Sequence, residues 1–314
     1  MNISQGVDGF FGDDGSGPNK DHGDRYTNAC SIMNDDFDLD AFVAATLAED
    51  LGTGGDVTSA AVIPASATLT AVMASRDAIV VAGVQVAAVF FGELDPAVEV
   101  ERFVGDGDAV APGTALLRVS GNARALLAAE RSALNTVQHL SGIATLTRAY
   151  VDAIAGTGAT LLDTRKTLPG LRALEKYATR MGGATNHRLR LDDGCLIKDN
   201  HIAVAGGIAA AVRAAVAAGL GIAAGGLPIV VEVDRIDQID AALAAGADRL
   251  LLDNMDVVTL RVAVALVAGR VPTEASGGVR LDTIRALAET GVTFISVGRL
   301  TQSAPAADIG LDYA

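Results

Sequence analysis

The sequence predicts an α/β protein in two parts: an N-terminal α+β, sandwich-like domain and a C-terminal incomplete (β/α) barrel of about six strands. Two observations predict the barrel. From Thr160 onward short apolar strands alternate with helices, the pattern of parallel strands joined by right-handed crossovers. Nearly all of these strands end on a polar residue or a glycine: Asp163, Lys198, Glu232 with Asp234, Asp253, Ser276 and Gly298. A barrel gathers its chemistry at that rim, whereas an open sheet concentrates it at one switch point. A third observation separates the first half. There strands come first and a long helical stripe follows. A length of 314 residues suits roughly two domains, and 50% apolar residues supply ample core.

The elements follow in order. Residues 1–36 are rich in Gly, Asp and Asn without an apolar period, and read as a disordered or non-native arm. The N-terminal domain spans residues 37–155. Phe37, Leu39, Phe42, Val43 and Leu47 share one face of a short helix stopped by Gly52, and the glycines up to Gly55 read as part of that stop. Strands are expected at Leu69–Ala74, Ala78–Ala82, Val98–Phe103 and, after a Pro-Gly turn, Ala115–Val119. A helical period then runs from Asn122 to about Ala155, with Leu126, Leu134, Val137, Leu140 and Leu146 on its stripe. The barrel takes residues 156–314. Its strands are read at Leu161–Asp163, Cys195–Lys198, Ile229–Val233, Leu250–Asp253, Thr273–Ser276 and Phe294–Gly298, with helices such as Ile236–Ala245 and Leu281–Glu289 between them.

Composition excludes several functions. A net charge of -14 opposes non-specific nucleic-acid binding. No apolar run has the length of a membrane span, and no export signal is visible. Cys30 and Cys195 make neither a disulfide framework nor a metal-ligand spacing, so the expected location is the cytoplasm. Cys195 opens an apolar strand without a base nearby in sequence, and reads as a buried small hydrophobe.

Against this acidic background, residues 165–198 hold eight cations (Arg165, Lys166, Arg172, Lys176, Arg180, Arg188, Arg190, Lys198) and three acids (Glu175, Asp192, Asp193). Such a cluster predicts a small ligand with several negative charges. Adjacent cations in a loop are usually solvated, but Arg165-Lys166, His187-Arg188 and Lys198 fall at one strand end, the next connection and the next strand end. On a barrel they face one mouth. Arginine suits planar carboxylates, and lysine serves as a movable point charge on phosphate. Glu232 and Asp253 follow at successive strand ends, where they either cap helices or bind sugar hydroxyls or Mg²⁺. Ser276-Gly277-Gly278 and Val297-Gly298-Arg299 are glycine turns after the last two strands, where barrels often cradle phosphate. His139 lies near the apolar stripe of the long helix and reads as a packed or capped histidine; His201 is either a supporting residue or a ligand contact.

With these residues in place, the chain resembles the quinolinate phosphoribosyltransferases from about residue 40 to its end. The resemblance rests on Glu49-Asp50-Leu51-Gly52, Gly55-Asp56-Val57-Thr58, Glu130-Arg131 with Leu134-Asn135, Asp163-Thr164-Arg165-Lys166-Thr167, Asn186-His187-Arg188, Lys198-Asp199-Asn200-His201, Glu232-Val233-Asp234, Leu252-Asp253-Asn254 and Ser276-Gly277-Gly278. It implies transfer of phosphoribosyl from 5-phosphoribosyl 1-pyrophosphate to quinolinate with decarboxylation, and a homodimer whose active sites are shared between subunits. Arg131 would reach across that interface, while Thr164, Arg165, His187, Arg188 and Lys198 hold quinolinate. Lys166, Glu232 and Asp253 would be catalytic and would meet phosphoribosyl pyrophosphate with its Mg²⁺; no organic cofactor is implied. Ser276, Gly277, Gly278, Val297, Gly298 and Arg299 would take the 5′-phosphate. The chain departs from the family pattern at Arg299 and Gln302, where Ala and His are expected. Two other functions remain open from sequence: a homologue acting on another base such as nicotinate, and a non-catalytic barrel sensing sugar phosphates. The count of cations disfavours a monocarboxylate, and carboxylates beside an anion site disfavour mere binding.

Overall fold

A computed structural model of the chain describes residues 37–313; the expected arm, residues 1–36, lies outside them. The first helix, Leu39–Leu51, starts where the Asp38 carboxylate accepts from Ala41 N and ends at Gly52, whose φ of 53° closes it. It buries Leu39, Val43 and Leu47 on one face. Asp56 then caps a second helix, Val57–Val62, by accepting from Thr58 N and Ser59 N. The glycines before it serve as the expected helix stop.

Strands β1 (Thr68–Ser75), β2 (Ile79–Val80), β3 (Glu99–Arg102), β4 (Ala109–Val110) and β5 (Ala115–Asn122) follow, with a helix at Val84–Leu94 between β2 and β3. That helix carries no readable period. Val84, Val86, Ala87, Val89, Phe90 and Phe91 are all buried, so it is apolar around most of its circumference. It packs under the long helix Ala123–Ala153, and both share one core with Met73, Leu116 and Leu117 of the sheet.

The chain does not stay in the barrel to its end. Its last strand, β12 (Ile309–Tyr313), returns to pair antiparallel with β1, giving a four-stranded sheet in the order β12-β1-β5-β3. The segment read as 156–314 thus ends in a strand that belongs to the N-terminal sheet. The reason is physical: without β12 the edge of β1 would be unpaired, and Ile309, 2% exposed, would leave the N-terminal core.

The barrel strands are β6 (Thr160–Leu162), β7 (Cys195–Ile197), β8 (Ile229–Val233), β9 (Arg249–Asp253), β10 (Thr273–Ser276) and β11 (Phe294–Ser296). All pairs are parallel, in the order β6-β11-β10-β9-β8-β7. The first strand thus pairs with the last, which an open doubly wound sheet does not do. Between β6 and β7 the circle is incomplete. Among the described residues, only the bridge of Leu162 with Thr185 enters that seam, with Thr185 N donating to Leu161 O at 2.9 Å. The six strands and their polar ends match the sequence expectation.

Because β12 completes the N-terminal sheet, deleting residues 309–314 should remove hydrogen-exchange protection from the β1 amides that alternate with Ser75, whose own N–H donates to Thr114 O on the other side, while β8 and β9 keep theirs. Equal loss in both sheets would contradict this assignment.

Candidate active site

Every predicted site residue except Arg131 lines one cavity of about 820 Å³ at the C-terminal ends of the barrel strands. Strand order fixes how they are distributed. Arg165 and Lys166 follow β6, His187 and Arg188 belong to the seam, and Lys198 follows β7. Glu232 is the last residue but one of β8, and Asp253 ends β9. The turns at Ser276–Gly278 and Val297–Gly298 follow β10 and β11. Since β11 pairs with β6, the glycine turns come round to the cations again. Gly298 shows the contact: a Cβ there would lie 2.8 Å from Lys166 Cδ. Gly277 has φ 93°, and a Cβ on it would meet Asn254 N at 2.9 Å, so this turn needs glycine on both counts.

Half of the basic cluster does not face the cavity. Lys176 is fully buried, and its Nζ meets Asp163 Oδ1 at 2.5 Å and His187 O at 2.7 Å. Arg172 donates to Thr167 Oγ1 and Leu189 O, Arg180 to Asn186 Oδ1, and Arg190 to Asp192. These four hold the loops. Arg165, Lys166, Arg188 and Lys198 remain in the cavity wall. Asp163, the residue after β6, is buried below the rim. It accepts from Lys176, Thr179 Oγ1 (3.0 Å), Asn186 Nδ2 (2.5 Å) and His187 N (2.8 Å). One carboxylate thereby fixes both segments that present cations.

Each remaining wall residue is placed by its neighbours. His187 Nδ1 accepts from Arg188 N at 2.7 Å, which leaves the proton on Nε2. Arg188 Nη1 donates to Gly194 O at 2.7 Å. Burial, then the charge of Arg165, lowers the Arg188 pKa. Lys198 Nζ lies 4.0 Å from Glu232. His201 accepts from Lys198 N at 3.0 Å; it steadies the start of the helix Asp199–Val204 and does not line the cavity. Burial also pushes the Cys195 thiol up, against the charge of Arg188, so the sulfur stays a poor nucleophile.

The carboxylates opposite are raised as well. Burial raises Glu232, and the charge of Asp253 adds to it while Lys198 opposes. Burial raises Asp253 against Lys166 and Lys198. Among the described residues, no group of three or more His, Cys, Asp or Glu could hold a metal by itself.

Sequence reasoning missed Glu274, which is fully buried in the cavity floor. Its Oε1 is 3.7 Å from His187 Nε2, too long for a hydrogen bond, and its Oε2 is 3.3 Å from Arg249. Burial pushes this carboxyl up, but the nearness of His187, Ser296 and Arg249 outweighs it and holds it below the usual range. The available signal was an acid placed inside a short strand, between Thr273 and Ala275. Arg280 was missed too; it lines the cavity and pairs with Asp282 at 3.0 Å. Arg131 stands exposed on the long helix, outside its own chain's cavity.

Residues 56–141 match the profile of the quinolinate phosphoribosyl transferase N-terminal domain, and residues 143–312 that of the C-terminal domain. The chain belongs to the quinolinate phosphoribosyltransferase family. Its similarity to the nicotinate-nucleotide pyrophosphorylase (carboxylating) of Mycobacterium leprae is 48% identity over 278 residues, covering 86% of this chain and 95% of that protein. The nicotinate-nucleotide pyrophosphorylase structure from Francisella tularensis superposes with a TM-score of 0.83 at 38% identity, over 88% of this chain and 96% of that one. The structure from Ehrlichia chaffeensis gives 0.84 at 36% identity, over 89% and 100%. The two family profiles meet at residues 141–143, inside the long helix. Its buried residues change core there, from Ala144 on one side to Tyr150 on the other.

Two predictions follow from this geometry. Lys176→Met leaves Asp163 buried without its cation and should cost about 3–5 kcal/mol in denaturant unfolding; a loss under about 1 kcal/mol, the scale of a surface pair, would contradict the clamp. A carboxylate whose folded pKa is raised costs stability when ionised, and the cost is relieved as pH falls through that folded pKa. Asp253→Asn should therefore raise the melting temperature of the ligand-free protein at neutral pH, and the gain should shrink on acidification. An unchanged or lower melting temperature at neutral pH would refute it.

Proposed function

We propose that this chain transfers the phosphoribosyl group of 5-phosphoribosyl 1-pyrophosphate to the ring nitrogen of quinolinate. The products are pyrophosphate, CO2 and nicotinate mononucleotide for NAD biosynthesis. The observation that carries the reading is the order of groups around one rim: cations on β6, the seam and β7, carboxylates on β8 and β9, glycine turns on β10 and β11. A planar dianion fits the first arc, ribose hydroxyls the second and a terminal phosphate the third. The carboxylating pyrophosphorylase from Mycobacterium leprae supports the same reaction.

No protein nucleophile is required, since the pyridine nitrogen attacks C1 of the ribose as the bond to pyrophosphate breaks. Arg165, Arg188 and Lys198, with His187 and Thr164, hold the two carboxylates and aim the nitrogen. Lys166, between that wall and Gly298, offsets charge on the departing pyrophosphate. Glu232 and Asp253 fix the sugar and favour positive charge developing on it. Their raised carboxyls also suit a cation bound jointly with the substrate. They would hold Mg²⁺ together with phosphate oxygens, and the ion would neutralise the leaving group. Once ribosylated, the nitrogen is positive and stabilises the electron pair left on the adjacent carbon as CO2 departs; that pair then takes a proton from solvent to form the C–H bond of the product. Much of the protein's work is then to place two mutually repelling anions in contact.

Arg131 completes the site in a homodimer: it projects from the exposed side of the long helix and serves the partner's cavity. Two cysteines without a disulfide framework and a strongly acidic surface fit an enzyme of the cytoplasm.

Incubation with quinolinate, phosphoribosyl pyrophosphate and Mg²⁺ should yield CO2 and the mononucleotide together. Nicotinate turnover without CO2, or binding without turnover, would overturn the proposal. Arg165→Ala should lower kcat/KM for quinolinate about a hundredfold, as two lost charge-assisted contacts of ~1.5 kcal/mol each imply; parent-like kinetics would remove Arg165 from the site.

A further inference from the structure

Glu175 is fully buried where the long helix meets the barrel, and the reaction above makes no use of it. Its Oε1 meets His139 Nε2 at 2.8 Å, and its Oε2 accepts from Leu168 N at 3.2 Å. His139 belongs to the N-terminal half, on the long helix about two turns beyond Arg131. Leu168 belongs to the loop that carries Arg165 and Lys166.

That loop must be held from outside. Arg165 Nε is buried without a hydrogen-bond partner, so no such bond fixes the guanidinium there. The backbone sets it instead. Asp163 anchors the loop at its start through Lys176, Thr301 Oγ1 donates to Lys166 O at 2.6 Å, and Arg172 Nε donates to Thr167 Oγ1 at 3.1 Å. Glu175 holds the far end. Three residues of the helix Arg172–Met181 thus grip the same loop, and Glu175 alone of the three also reaches the N-terminal half.

Burying a carboxylate costs several kcal/mol unless hydrogen bonds offset it, so an apolar residue would serve packing better. Both offsetting bonds of Glu175 end on groups that have to be kept in register with each other. Resting on the function proposed above, we propose that Glu175 is a positioning residue for Arg165 and Lys166. His139 is the contact through which the long helix sets it. The seat of the N-terminal half on the barrel is then read out at the anion site. The helix that lends Arg131 to the partner also sets the loop of its own pocket.

The test uses the full chain with Glu175→Ala, Glu175→Gln, His139→Ala and the double alanine variant. KM and kcat are measured for both substrates, and near-UV circular dichroism reports folding. Folded Glu175→Ala should lose about a hundredfold in kcat/KM, the scale expected when a catalytic group moves by about 1 Å. Glu175→Gln should stay within about threefold, because its carbonyl accepts from Leu168 N while its amide donates to the other tautomer of His139. The double variant should be no worse than Glu175→Ala, as coupled residues require. Parent-like kinetics in folded Glu175→Ala, a Gln variant as poor as Ala, or additive losses would each overturn the proposal. Should Glu175→Ala fail to fold, His139→Ala carries the test, and an unchanged kcat/KM in it is equally decisive. A parent chain inactive on quinolinate would instead overturn the functional reading.

Discussion

The buried carboxylate of Asp163 is the constraint on which the site depends. It takes four donors, one of them the ammonium of Lys176, and is out of reach of water. Burying such a pair is not by itself a source of stability, since desolvation offsets most of the attraction. Its value lies in what else it binds. Asp163 precedes Thr164-Arg165-Lys166 in the chain, and through His187 N and Asn186 it holds the segment that carries Arg188. The barrel lacks a paired strand at this seam, so neither segment has a ladder to fix it. The place where the barrel is incomplete and the place where the anion site is mounted are the same.

The site also works against the charge of the whole molecule. A net charge of -14 would repel an anionic substrate at long range. Salt reduces that effect beyond roughly 8 Å at physiological strength. Cations lining a concave wall act at contact distance and in a lower dielectric, so the local field wins. The cost appears in the ligand-free protein, where burial and then the charge of Arg165 lower the preference of Arg188 for charge, and Glu232 and Asp253 are both raised. On the proposed reading, a cavity arranged to receive two anions is strained until they arrive.

How much of this was legible depended on whether a residue's role left a local pattern. The barrel strands were readable because apolar runs end in polar residues, and the long helix because Leu126, Leu134, Val137 and Leu140 recur at helical spacing. The helix Val84–Leu94 was not, because burial on nearly all sides erases the period. β12 was unreadable for another reason: its partner β1 lies more than two hundred residues away along the chain. Within the site, charge density marked the stretch, and position at strand ends set Arg165 and Arg188 apart from Arg172 and Lys176, which the structure ties to loop and strand-end acceptors. All four are cations in one segment, and what Arg172 and Lys176 bind instead is visible only in the fold. Glu274 fell outside any cluster, and its meaning comes from Arg249 and His187, contributed by other elements.

The partition of the rim follows from connectivity. A parallel barrel places strand ends in chain order around a circle, so residues that follow one another in sequence become neighbours at the mouth. The basic stretch is contiguous in sequence and therefore becomes one arc; the two carboxylates, on consecutive strands, become the next. Pairing of β11 with β6 then brings the final glycine turn against Lys166, the cation at the near end of the basic arc. On the proposed reading, this closure sets Lys166 apart from Arg165 beside it: one side chain faces the phosphates and its neighbour the ring carboxylates. Two adjacent residues can serve two substrates because the loop that carries them is the junction where the circle meets itself.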